Sequence, residues 1–91
     1  MAQPDEIVVE FFGMPRRRAG RAELSVAVGT VRAVLIAVQL ECPGLSDLLQ
    51  PTGRLAPHYL LSLDGQRFLA DPDEVLPPGA RLLLLSADAG G

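Results

Sequence analysis

The run Arg81 to Ser86, RLLLLS, constrains this chain more than any other segment. Four consecutive leucines leave no polar position to face water, so a strand built from them has both faces covered and belongs inside a sheet rather than at its edge. The remaining elements must be arranged around it.

They are of the right kinds. Ile7 to Phe12, IVVEFF, is rich in β-branched and aromatic residues and is ended by Gly13 and Pro15, which reads as a strand. Ala22 to Val28 alternates Leu24, Val26 and Val28 with Glu23, Ser25 and Ala27, the period of a strand with one buried face. The intervening Gly13 to Arg21 predicts a hairpin loop between antiparallel neighbours. After Gly29 the period changes. Thr30 suits an N-cap, Val31, Val34, Leu35 and Val38 form one helical stripe, and Pro43-Gly44 stops it. Ile36, Ala37 and Leu40 widen that stripe, which predicts a helix well buried against a sheet. Leu45 to Leu49 predicts one further turn and Pro51 to Pro57 an exposed loop. Tyr59 to Leu63 and Gln66 to Leu69 flank Asp64-Gly65, a type I′ turn pair, and two turn signals, Asp71-Pro72-Asp73 and Leu76-Pro77-Pro78-Gly79, precede the leucine run. The expected class is α+β, a mixed sheet of four to five strands packed on one main helix.

Composition narrows the function classes. Ninety-one residues make one domain, and 48% hydrophobic content supports a core built from Leu and Val, since there is no Trp. A net charge of −3 argues against a phosphate-binding surface, so no nucleic-acid partner is expected. Arg16, Arg17, Arg18 and Arg21 read as a solvated loop, with a docking patch for an acidic protein or a nucleotide phosphate as the alternative. No apolar stretch approaches the roughly 20 residues of a membrane span, and no membrane partner is expected. A lone Cys42 and an N-terminus without a signal-peptide pattern point to the cytoplasm. Cys42 reads as a small buried hydrophobe, and His58 as a single histidine without dyad spacing. No metal site is expected, and Asp71, Asp73 and Glu74 read as a solvated turn. Gly13 to Gly20 lacks nucleotide-loop spacing, so the chain itself is expected to bind no cofactor.

The segment Ser86-Ala87-Asp88-Ala89-Gly90-Gly91 is small and polar, and predicts a domain over 1–86 followed by a flexible Gly-Gly tail over 87–91. A terminal Gly-Gly arises by chance in about one chain in 200 at average glycine usage, so the pair alone is a weak signal. Its position after a complete small fold carries more. The order of elements resembles the ubiquitin-like β-grasp fold, and the ending resembles the MoaD/ThiS family of sulfur carrier proteins, over nearly the whole chain. The resemblance rests on Phe11-Phe12 closing the first strand, on Leu76-Pro77-Pro78-Gly79 before the last, and on the spacing from Gly79 to Gly90-Gly91. Ala80-Arg81 and Leu84-Leu85-Ser86-Ala87 depart from the acidic pair and the aromatic-proline residues common there, and the long segment Pro43 to His58 is similar to MoaD or the cysteine-synthesis carriers.

That resemblance implies a carrier rather than an enzyme. A partner activating enzyme similar to MoeB or ThiF uses ATP to adenylate the carboxylate of Gly91, and a sulfur donor converts it to a thiocarboxylate for cofactor or metabolite biosynthesis. Molybdopterin comes first, with this chain as the small subunit beside a molybdopterin synthase large subunit. Gly90 gives the tail access to a narrow channel, and Asp88 and Ala89 provide reach. By analogy with such carriers Leu82 and Leu84 point inward with Ile7, Val9 and Phe11, while Leu83 and Leu85, with Val8 and Phe12, form the partner-binding patch. Two other classes stay open: a ubiquitin-like modifier forming isopeptide bonds through Gly91, and a β-grasp interaction domain without tail chemistry.

Overall fold

The computed structural model describes residues 5–87. Its strands are β1 (Glu6–Phe11), β2 (Glu23–Ala27), β3 (Tyr59–Leu63), β4 (Arg67–Phe68) and β5 (Arg81–Ser86), and its helices α1 (Met14–Ala19) and α2 (Val31–Glu41), with a 3-10 turn at Pro43–Leu45. They form one mixed sheet of order β2-β1-β5-β3-β4. The leucine run is therefore the central strand, parallel to β1 and antiparallel to β3.

Alternation along the strands decides what fills the core. Ile7, Val9 and Phe11 of β1, Tyr59 and Leu61 of β3, and Leu82 and Leu84 of β5 are buried on one face, under Val31, Val34, Leu35 and Val38 of α2 and under Leu45 and Leu48. Thr30 caps α2 through its Oγ1, which accepts from Ala33 N–H at 3.1 Å. The stripe is narrower than the sequence predicts: Ile36 is 44% and Leu40 78% exposed. At about 100° per residue these two lie roughly opposite the centre of the Val31–Val38 stripe, whereas Ala37 stands at its margin and packs against the core. On β2, Val26 is buried, but Val28 lies past the last rung of the ladder and is exposed.

Gly13 to Arg21 is not a plain hairpin loop, because it contains α1. Pro15 occupies the first turn, where a missing N–H costs nothing, and Gly20 ends the helix at φ 73° with its N–H donating to the Arg16 carbonyl. Six residues with one buried side chain, Pro15, carry no apolar stripe, so periodicity could not reveal this helix. Pro51 to Pro57 also differs from an exposed loop, because Ala56 is buried and its N–H donates to Leu48 C=O at 2.7 Å. Between β3 and β4, Asp64 (φ 53°) and Gly65 (φ 72°) take the two positive φ angles of a type I′ turn, closed by Gln66 N–H on Leu63 C=O. No helix among the described residues is long and apolar enough to cross a membrane.

Candidate functional site at the end of the central strand

Parallel pairing brings the C-terminal ends of β1 and β5 to the same end of the sheet. Phe12 N–H donates to Leu84 C=O at 3.0 Å on one side, and Ala87 N–H donates to His58 C=O at 2.9 Å on the other. The chain is thus hydrogen-bonded up to Leu84 on the β1 side and up to Ala87 on the β3 side. Asp88, Ala89, Gly90 and Gly91, the candidate tail residues, lie outside the described residues.

The outer face of the sheet, away from α2, carries Leu83 and Leu85, both half-buried, while Leu82 and Leu84 are fully buried in the core. Leu85 stands opposite Leu60 of β3, and Leu83 opposite Ser62, which in turn faces Phe68 of β4. Residues paired across strands share a face, so Leu60, Leu83, Leu85 and Phe68 make one apolar strip, with Phe68 62% exposed. Phe12, 41% exposed, follows Phe11, the β1 partner of Leu84, and so extends the strip on the β1 side. An open groove of about 310 Å³ continues from Leu60 and Phe68 toward Leu55 and Pro57.

Val8 does not belong to this exposed patch. It lies on the outer face but is only 9% exposed, between Ser25 of β2 and Arg81 of β5. The Arg81 guanidinium pairs with Glu10, two residues along β1 from Val8, so its aliphatic stem runs beside the valine and covers it.

A polar cluster that sequence spacing did not predict surrounds the point where β5 ends. Asp47 Oδ1 accepts from the Tyr59 hydroxyl at 2.7 Å, while its Oδ2 accepts from Arg18 Nη1 at 3.0 Å and lies 2.9 Å from His58 Nε2. Arg18 Nη1 also donates to the Tyr59 hydroxyl at 2.8 Å, and the His58 and Tyr59 rings are 4.3 Å apart. Desolvation works against ionised Asp47, but hydrogen bonds from Tyr59 and His58 and the charge of Arg18 outweigh it, holding its carboxyl below the usual range. Burial first, and then the bond to Asp47, push the Tyr59 phenol up. The cluster joins α1, the turn before β3 and the first residue of β3, whose strand partner is Ser86. His58, read in isolation as a lone histidine, therefore has a carboxylate partner eleven residues away.

The remaining candidates are engaged structurally. Cys42 is 1% exposed, and burial pushes its thiol up, so it is protonated at neutral pH. Glu74 pairs with Arg67, Asp73 with Arg32, and Asp71 Oδ1 accepts from Asp73 N–H. Among the described residues no three metal-ligating side chains converge.

No protein-family model matches this sequence, and no characterised protein matches it at the level of sequence. Solved structures do. Small archaeal modifier protein 1 (SAMP1) from Haloferax volcanii superimposes with a TM-score of 0.79 at 23% identity, over 94% of this chain and 99% of that one. The HVO 2177 protein of the same organism gives 0.76 at 27% identity, over 94% and 86%. A Pyrococcus furiosus protein described as molybdopterin converting factor, subunit 1, gives 0.72 at 16% identity, over 89% and 95%. The fold is the ubiquitin-like β-grasp. The matches extend over nearly the whole length of SAMP1 and of the Pyrococcus furiosus protein. Within a β-grasp the strip of Phe12, Leu60, Leu83, Leu85 and Phe68 and the Asp47 cluster flank the same exit from the central strand. Leu60 and Phe68 escaped the sequence reading, although Leu60 shares its parity in YLLSL with Ser62, a polar position on an otherwise apolar strand.

Proposed function

We propose that this chain is a sulfur carrier whose Gly91 carboxylate is adenylated by a partner enzyme and converted to a thiocarboxylate. The observation that carries this reading is the central strand that ends beside an exposed apolar strip and is followed, three and four residues after Ala87, by Gly90 and Gly91. Those four residues span at most about 14 Å. An enzyme acting on Gly91 is therefore in contact with the surface around the end of β5, where Phe12, Leu83 and Leu85 supply apolar contact area.

The chemistry follows from the group. A carboxylate is a poor electrophile. When its oxygen attacks the α-phosphorus of ATP, pyrophosphate leaves and an acyl-adenylate forms. A hydrosulfide-level donor then adds to the carbonyl carbon, and AMP departs with the C–O bond electrons, leaving C–S⁻. Glycine at both final positions presents main-chain atoms to the nucleotide without a Cβ in the way. The chain's own side chains do not compete: its eight basic residues are all arginine, and its one thiol is buried. The structural likeness to molybdopterin converting factor, subunit 1, supports molybdopterin synthesis as the pathway, with a large synthase subunit as acceptor.

A second reading has its own support. The likeness to SAMP1, a modifier by name, favours transfer of the same acyl group to a lysine of another protein. With no lysine here, such a modifier does not build chains on its own side-chain amines. The test is ATP–pyrophosphate exchange by a cognate adenylating enzyme. Exchange that requires this chain and is lost on deleting Gly91 is the expected result, and exchange that survives the deletion contradicts the proposal.

A further inference from the structure

We infer that Arg16, Arg17 and Arg21, on α1 and just after it, form an electrostatic docking patch for an acidic protein surface beside the entrance to the activating enzyme's tail site. This rests on the carrier reading above and adds a recognition element to it. Four of the eight arginines are committed within the fold: Arg18 to Asp47, Arg32 to Asp73, Arg67 to Glu74 and Arg81 to Glu10. Of the other four, three are Arg16, Arg17 and Arg21, all exposed and without an ion pair among the described residues. A chain of net charge −3 thus keeps three of the four arginines without an ion pair among the described residues together at one place, Arg54 in the loop before β3 being the fourth.

That place is the exit of the tail. α1 begins three residues after Phe11, whose strand partner is Leu84, and it packs against β5. Arg18 holds the helix to Tyr59, whose strand partner is Ser86. The helix is anchored by one arginine and presents the others. Because the reach from Ala87 to Gly91 is short, whatever receives the tail also faces α1. The complementary surface is protein carboxylates rather than a nucleotide. Neither the groove along β3–β4 nor the one between β2 and α2 is lined by a residue of α1 that could help enclose a phosphate. Separated cations on a convex helix match a distributed acidic surface and raise association rates by steering.

The experiment measures pyrophosphate release by the cognate adenylating enzyme against concentration of the full chain. It compares wild type with R16Q/R17Q/R21Q, with R16E/R17E/R21E and with single R17Q, and uses A33E as control. Ala33 is exposed in the first turn of α2, and A33E changes net charge by the same one unit as R17Q. The glutamate triple is expected to raise KM about ten-fold or more at low salt with kcat unchanged, the glutamine triple less. The difference shrinks as ionic strength shortens the Debye length from about 10 Å toward 3 Å, and A33E leaves KM unchanged. A triple variant within about twofold of wild-type KM, or A33E matching R17Q, overturns the inference alone. Absence of activation with wild type overturns the carrier reading, and the inference with it.

Discussion

Leu84 and Leu85 are adjacent in sequence and opposite in environment, and substituting each with aspartate separates core from surface. Leu84 is fully buried, so Leu84→Asp places an unpaired carboxylate in the core beside its strand partners Phe11 and Leu61 and is expected to cost several kcal/mol or prevent folding. Leu85→Asp, and equally Leu60→Asp opposite it, should leave a folded protein that binds its activating enzyme weakly. Denaturant titration and KM for activation read the two effects. An unfolded Leu85→Asp beside a folded Leu84→Asp would shift the register of β5 by one residue. The leucine run made a central strand legible, but its register came from the family resemblance, because four consecutive leucines carry no alternation of their own. The covering of Val8 by Arg81 was not legible, because it depends on which strand pairs with β1.

Asp47 offers a pH test at the same scale. Its folded pKa lies below the ordinary carboxylate value of about 4, so its ionised form is bound more favourably in the folded state. The stabilisation is complete above the unfolded pKa and is lost as pH falls through the folded value. The difference in thermal midpoint between wild type and Asp47→Asn should therefore be constant above about pH 5 and shrink as the pH drops below 4. A difference that grows on acidification would contradict the role of the Tyr59–Asp47–Arg18 bonds.

Among the elements, α1 was the one that sequence patterning could not find, and two glycines show what builds it. Gly20 ends it at φ 73° with open space around a hypothetical Cβ, so Gly20→Ala costs only backbone strain, about 1 kcal/mol. Gly44, after α2, packs directly on the helix, and a Cβ there would sit 2.1 Å from the Arg18 carbonyl oxygen. Gly44→Ala should be the more destabilising of the two in denaturant titration and should displace α1 together with the Arg18 anchor. α2 was legible because Thr30, the four-residue stripe and Pro43-Gly44 all mark it locally. The Asp47–His58 pair was hidden because an irregular segment separates its members, and irregular backbone carries no period to read.

At the scale of the whole sheet, the last of the described strands in the chain is the innermost one. β5 contributes Leu82 and Leu84 to the core and is the only link between the β2–β1 and β3–β4 halves of the sheet. Truncation before Arg81 should abolish cooperative unfolding, whereas deletion of Gly91 moves the terminal carboxyl back to Gly90 and leaves the sequence of every described residue unchanged. Its effect on the thermal midpoint should match that of an ordinary surface change, within about 0.5 kcal/mol. The same architecture joins stability to function. On the proposed carrier reading, the strand that completes the sheet also leads into the reacting group, and it ends beside the surface formed by Phe12, Leu60, Leu83 and Leu85.

The most direct test of that account is the intact mass of the full chain after incubation with its activating enzyme, ATP and a hydrosulfide donor. The account predicts a species heavier by the exchange of one oxygen for one sulfur, located by fragmentation at Gly91 and absent when ATP is omitted. An unchanged mass, under conditions where the enzyme activates a known carrier, would contradict it.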